Sequence, residues 1–156
     1  SVMAGYRNDP EATLDAIDAD GWLRTGDVGT LVDGVLSIVG RKKELIITSG
    51  GKNISPAKVE SELKAAGGAI AHACIVGDRR PYVTALLVLE PGADAAGVEA
   101  AVAAANRRLA PVEQIKRHTV LDTEWRPGGP ELTPTQKLRR RAVLERYADE
   151  IEAMYA

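Results

Sequence analysis

The sequence predicts an α+β fold: a small, mostly antiparallel sheet covered by helices and preceded by a hairpin. Three observations predict it. Helical and strand-like stretches are interleaved along the chain. The apolar runs that read as strands are joined by short turns, which favours antiparallel pairs. At Gly40–Arg41 hairpin patterning gives way to mixed helix and strand signals, which puts a domain boundary between 1–40 and 41–156.

The elements follow in order. "DPEATLDAID" offers Asp9 as a helix N-cap and Pro10 in the first turn, with Leu14 and Ile17 on one face. "VGTLVDGVLSIVG" holds two apolar runs around Asp33–Gly34, a two-residue hairpin turn suited to right-twisted strands. "ELIIT" is a short strand before the glycine turn "SGGKN". "SPAKVESELKAAGG" has Ser55 as cap, Pro56 at the first helical position, and Val59, Leu63 and Ala66 at helical spacing. Gly67–Gly68 end it. "AIAHACIVG" and "YVTALLVLE" are strands joined by "DRRP", most simply as an antiparallel pair. The alanine-rich "ADAAGVEAAVAAANRRLA" is a helix stopped before Pro111, and "IKRHTVL" a further strand. "DTEWRPGGPELTPT" is a loop dense in Pro, Gly and Thr. A last helix carries Val143, Leu144, Tyr147, Ile151 and Met154 on one face, with its arginines at the entry and on the solvent side.

Composition excludes several classes of function. A chain of 156 residues with 45% hydrophobic content can bury a core about one domain in size. Its 20 basic and 22 acidic residues balance, and aromatics are 4% with no Phe. A nucleic-acid binder usually needs a basic excess and stacking aromatics. The single cysteine, Cys74, precludes an intramolecular disulfide, fits a reducing compartment and reads as a buried thiol. His72 and His118 lie far apart without ligand-spaced neighbours, so no metal site is expected. The apolar runs are too short to span a bilayer, and the start, "SVMAGYRNDPEAT", reads as part of a continuing polypeptide.

Two spots invite chemistry. Gly51–Lys52 resembles part of a phosphate-binding loop, but Ile46 stands where the first glycine belongs and Asn53 where Ser or Thr belongs. Asp27, in "GWLRTGD", reads either as a turn carboxylate or as one whose two oxygens accept from adjacent sugar hydroxyls. The basic run Lys137, Arg139, Arg140, Arg141, Arg146 leaves a tail, a helix face and a catalytic loop all open.

"MAGYRNDPEAT", "DGWLRTGDVG", "IVGRKKELIITSGGKNISPAKVESEL" and "LTPTQKLRRR" stand in this order. Together they resemble, over essentially the entire chain, the last third of the adenylate-forming enzymes: acyl-CoA synthetases, peptide-synthetase adenylation domains and luciferases. "GRKKELI" and "LTPTQKL" look most like the long-chain fatty acid–CoA ligase branch. The resemblance implies a trailing piece of a large N-terminal domain over 1–40 and a mobile C-terminal domain over 41–156. It also implies that the phosphate loop and acyl pocket lie in the rest of that N-terminal domain, so that this chain alone is inactive.

By the same resemblance, Lys137 is the catalytic lysine of adenylation, Asp27 binds the ATP ribose and Arg41 lies beside ribose and phosphate. Lys43 falls on the hinge, Gly50 lines the pantetheine passage to CoA, and Lys52 lies near phosphate. The implied substrates are ATP, fatty acid and CoA, with Mg²⁺ accompanying ATP and no metal ligand in this chain. The implied partner is the protein's own N-terminal domain, with no nucleic acid. The expected place is the cytoplasm, peripheral at a membrane where the lipid substrate is drawn from it. A fatty acid–AMP ligase that loads a carrier protein, or a stand-alone interaction module, are the rival expectations.

Overall fold

The computed structural model describes residues 2–156. The chain divides into two compact units, the first ending at Lys43 and the second running from Glu44 to Ala156.

The first unit opens with helix α1, Pro10–Ala16, whose N-cap Asp9 accepts from the Ala12 amide at 2.9 Å. The helix closes at Ala16 and Leu14 is 75% exposed, so the expected Leu14–Ile17 face does not form. Ile17 instead makes an isolated bridge with Leu23. Strands β1, Asp27–Val32, and β2, Val35–Arg41, form the hairpin. Asp33 and Gly34 both take positive φ, 49° and 80°, as a type I′ turn requires. A bulge interrupts the ladder between Val28 and Gly29. There a Cβ on Gly29 would stand 2.9 Å from Leu36 Cδ1 and 3.1 Å from the Ser37 carbonyl, so a side chain at this position would require the Leu36 tip to move. Leu31, Val32, Val35, Leu36 and Ile38 are all exposed.

The second unit begins with a minimal ladder, β3 (Ile46–Ile47) against β4 (Asn53–Ile54). Helix α2, Pro56–Ala65, follows its Ser55 cap. Strands β5, Ile70–Val76, and β6, Val83–Leu89, pair antiparallel as expected. Helix α3, Ala95–Arg108, is capped by Asp94, and β7, Ile115–Val120, then joins β6 in parallel. A strand that returns by way of a helix can run in the same direction as the one it left. The sheet order is therefore β5-β6-β7, and among the described residues three of the four strand pairings are antiparallel.

Central β6 explains why "YVTALLVLE" runs apolar from Ala85 to Leu89 instead of alternating. Val83, Ala85 and Leu87 enter a core with Val59, Leu63, Val98 and Val102 from α2 and α3. Leu86 and Val88 enter a second core with Trp125, Leu132, Val143 and Tyr147. A strand covered on both faces has no polar side to show.

The last helix is two, α4 (Arg140–Arg146) and α5 (Ala148–Ala153), interrupted at Tyr147, whose ψ of 35° no α-helix continues through. The Tyr147 amide still donates to the Val143 carbonyl, and the Ile151 amide to that of Tyr147. The row Val143, Tyr147, Ile151 therefore stays buried. Tyr147 Oη accepts from Trp125 Nε1 at 3.2 Å, which ties the preceding loop to this segment. Among the described residues no helix is long and apolar enough to cross a membrane.

Candidate functional site

In the first unit the hairpin register sets Asp27 opposite Arg41 at the open end of the ladder. Arg41 Nε lies 3.0 Å from Asp27 Oδ1, with the two side chains 63% and 27% exposed. An exposed pair of this kind contributes at most about 1 kcal/mol, so either partner can exchange it for a ligand at small cost. The Asp27 amide donates to Thr25 Oγ1, and Gly26 takes φ 74° just before it, which fixes where the carboxylate leaves the chain. Lys43 sits in a short 3-10 turn, Lys42–Glu44, exposed and at the division between the units.

In the second unit Gly50 and Lys52 share the β3–β4 turn. Thr48 closes it, its amide donating to the Lys52 carbonyl at 3.1 Å and its hydroxyl accepting from the Lys52 amide at 3.2 Å. Gly51 takes φ 72° and so needs to be glycine. Gly50 does not: a Cβ there would meet only Thr48 Oγ1, at 3.9 Å. Folding thus accounts for Gly51 and makes no such demand at Gly50. Gly51→Ala is expected to lower stability by about 1–2 kcal/mol, whereas Gly50→Ala leaves the melt unchanged. Equal losses in a denaturant titration would return Gly50 to a folding role.

Lys137 is exposed on a tight hairpin between the buried residues Glu131 and Leu132 and helix α4. Leu132 bridges Leu138, and the Arg139 amide donates to the Glu131 carbonyl at 2.7 Å. Inside, the Thr133 amide donates to the Lys137 carbonyl at 2.8 Å and the Lys137 amide to Thr133 Oγ1 at 2.9 Å. Gln136 adopts φ 61° to turn the corner. The base of the hairpin is held by an ion pair: the Glu131 carboxylate, 3% exposed, meets Arg146.

The arginines are expected at the helix entry and on its solvent side; Arg140 stands at the entry but turns inward. Its guanidinium donates to Glu60 Oε1 at 2.6 Å and to the Ile75 carbonyl at 2.9 Å, with both charged side chains mostly buried. Glu60 also accepts from the Ile75 amide. Burial outweighs the neighbouring guanidinium and raises the Glu60 pKa. Burial opposes the Arg140 charge as well, but Glu60 and Cys74 more than offset it and the Arg140 pKa is raised. Burial also pushes the Cys74 thiol up to about 12, so it is inert as a nucleophile.

The structure thus brings Asp27 and Arg41 together, sets Gly50 and Lys52 in one turn, and gives Lys137 a hairpin of its own. Sequence reasoning missed Thr133, Glu131 and Glu60, and it named Arg140 without its buried pairing. Thr133, four residues before Lys137, was the one detectable signal, since a threonine in a turn bonds nearby amides. Among the described residues no group of three or more His, Cys, Asp or Glu could hold a metal ion.

Residues 43–156 match the family model described as the AMP-binding enzyme C-terminal domain. The chain belongs to that family. As an AMP-binding C-terminal domain, it is 46% identical over 99% of its length to fadD11 of Mycobacterium tuberculosis, provisionally named a fatty-acid–CoA ligase. It is 37% identical, again over 99% of its length, to the long-chain-fatty-acid–CoA ligase FadD15 of the same organism. It spans 31% and 30% of those two proteins. Among solved structures, o-succinylbenzoate coenzyme A synthetase from Bacillus subtilis, in complex with AMP, covers 90% of the chain at 34% identity and TM-score 0.69, with 27% of its own length matched. The adenylation–carrier didomain of a carboxylic acid reductase from Segniliparus rugosus shares the fold, with TM-score 0.84 at 24% identity over 99% of this chain and 23% of that one.

Proposed function

We propose that the chain is the C-terminal part of an ATP-dependent long-chain fatty acid–CoA ligase. In the first half-reaction the fatty acid carboxylate attacks the α-phosphorus of ATP, giving acyl-adenylate and pyrophosphate. In the second, the CoA sulfur attacks the acyl carbonyl and AMP leaves. The observation that carries the reading is Lys137, a lysine projected by a braced hairpin in a chain whose relatives, over its full length, bear fatty-acid–CoA ligase names.

The roles come from the resemblance, and the chemistry of each side chain supports them. When two anions react, negative charge gathers on the phosphoryl and attacking oxygens, and the Lys137 ammonium can bridge both without bidentate geometry. Asp27 accepts from the ribose hydroxyls, exchanging its Arg41 pair for them, and Arg41 turns to phosphate. Gly50, free of a folding duty, lets the pantetheine arm pass close to the backbone, and Lys52 faces phosphate. Mg²⁺ arrives with the ATP phosphates, and no residue of this chain is assigned to it. Residues up to Gly40 belong to the N-terminal domain, and the exposed apolar side chains of the hairpin support that, because they suit the interior of a larger sheet. The substrates ATP and CoA assign the reaction to the cytoplasm, with peripheral access to lipid.

Lys43 serves as the hinge between half-reactions, supported by the division of the units beside it. A proline fixes φ near −65° and fits the first turn of a helix, so it blocks rotation without local unfolding. Lys43→Pro is expected to keep most adenylation while thioester formation falls by roughly tenfold or more. Normal turnover through both steps would sink the hinge assignment.

The full-length protein, given ATP, a long-chain fatty acid and CoA, is expected to release acyl-CoA and AMP. Acyl-adenylate without acyl-CoA, discharged only by a carrier protein, would make it a fatty acid–AMP ligase. No adenylate at all would leave an interaction module.

A further inference from the structure

We propose that Thr133 is a positioning residue for Lys137, through paired bonds to the lysine's own backbone. This rests on Lys137 acting in adenylation. Thr133 uses its amide on the Lys137 carbonyl and its hydroxyl on the Lys137 amide, while its own carbonyl accepts from Gln136 at 2.9 Å. The same hydroxyl lies 3.1 Å from Thr135 Oγ1. One residue therefore organises the whole turn that presents the lysine.

The surroundings make this clamp effective. Leu132 is 1% exposed, and Glu131 is paired with Arg146, so the residue just before Thr133 is fixed in the core. Leu138, just after Lys137, is bridged back to Leu132. Only the short turn between Thr133 and Lys137 is left to set the direction in which the lysine's Cα–Cβ bond points. A lysine side chain has four rotatable bonds, and its reach is productive only if its root is fixed. A misplacement of about 1 Å at a reacting centre can reduce the rate a hundredfold. Losing the hydroxyl frees the Lys137 amide, while the Thr133 main-chain bonds keep the hairpin closed. The effect is thus expected in the rate of one chemical step and not in folding.

The test uses the full-length protein, with adenylation followed by ATP–pyrophosphate exchange and thioester formation started from synthetic acyl-adenylate and CoA. Thr133→Val keeps the β-branched shape and removes the acceptor. It is expected to lower the adenylation kcat roughly ten- to a hundredfold, with KM for ATP and fatty acid, the thioester step and the melting temperature unchanged. Thr133→Ser is expected to restore the parent rate. On a Lys137→Ala background Thr133→Val is expected to add nothing. Should valine disturb the melt, Thr133→Ala carries the same comparison. Parent-rate adenylation in the valine variant, serine as slow as valine, equal loss in both half-reactions, or full additivity with Lys137→Ala would each overturn the proposal. If Lys137→Ala itself adenylates normally, the lysine assignment fails first and the positioning role falls with it, a result distinct from the valine variant failing alone.

Discussion

Lys137→Ala in the full-length protein is expected to slow acyl-adenylate formation by roughly 10²–10³-fold, the scale of one lost preorganised electrostatic contact. Thioester formation from synthetic acyl-adenylate should be nearly untouched, because the charge that the ammonium neutralises develops only during attack on the α-phosphorus. Lys137→Arg is expected to recover little, since a planar fork does not replace a compact charge on a flexible stem. The side chain is exposed on the hairpin tip and none of the hydrogen bonds that brace the turn uses it, so the melt should not move. Equal loss in both half-reactions would mark a structural lysine.

The largest effect on stability belongs to Arg140. Arg140→Ala leaves the Glu60 carboxylate buried without its guanidinium, and breaking a buried pair in this way costs about 3–5 kcal/mol. For a unit of this size that is a fall in Tm of roughly 12–20 °C. The informative companion is Arg140→Met combined with Glu60→Met. Replacing both charges by apolar side chains removes the unpaired ion, and stability should return to within about 1–2 kcal/mol of the parent. A mild melt for Arg140→Ala, within a few degrees, would show that the pair is screened by water.

These two neighbours in sequence mark what was legible and what was not. Local rules read well: Asp9–Pro10 and Ser55–Pro56 announce helix starts, and Asp33–Gly34 announces a type I′ hairpin, because each encodes its backbone geometry in adjacent residues. Lys137 was singled out through the resemblance of its motif, and its role in adenylation stays a proposal. Arg140 was not, since its burial is decided by Glu60, 80 residues away. The parallel placement of β7 escaped for a similar reason: an amphipathic strand reads the same in either direction, and only its docking against β6 tells them apart. The break at Tyr147 escaped because the spacing of Val143, Tyr147 and Ile151 fits a continuous helix, and two helices preserve it.

Strand β6, buried on both faces, carries a liability outside the native state. With Tyr82 just before it, the strand reads "YVTALLVL" to Leu89, without a charge, a proline or a glycine and rich in β-formers. Such a stretch is self-complementary, and in an unfolded or newly made chain it can stack on its own copies into cross-β aggregates. The flanks answer this chemically. Arg79, Arg80 and Pro81 stand immediately before it and Glu90 and Pro91 immediately after, charges and ring constraints that act as gatekeepers against intermolecular pairing. The residues that make β6 the centre of the fold are thus the ones that the chain must keep apart from other chains until folding covers them.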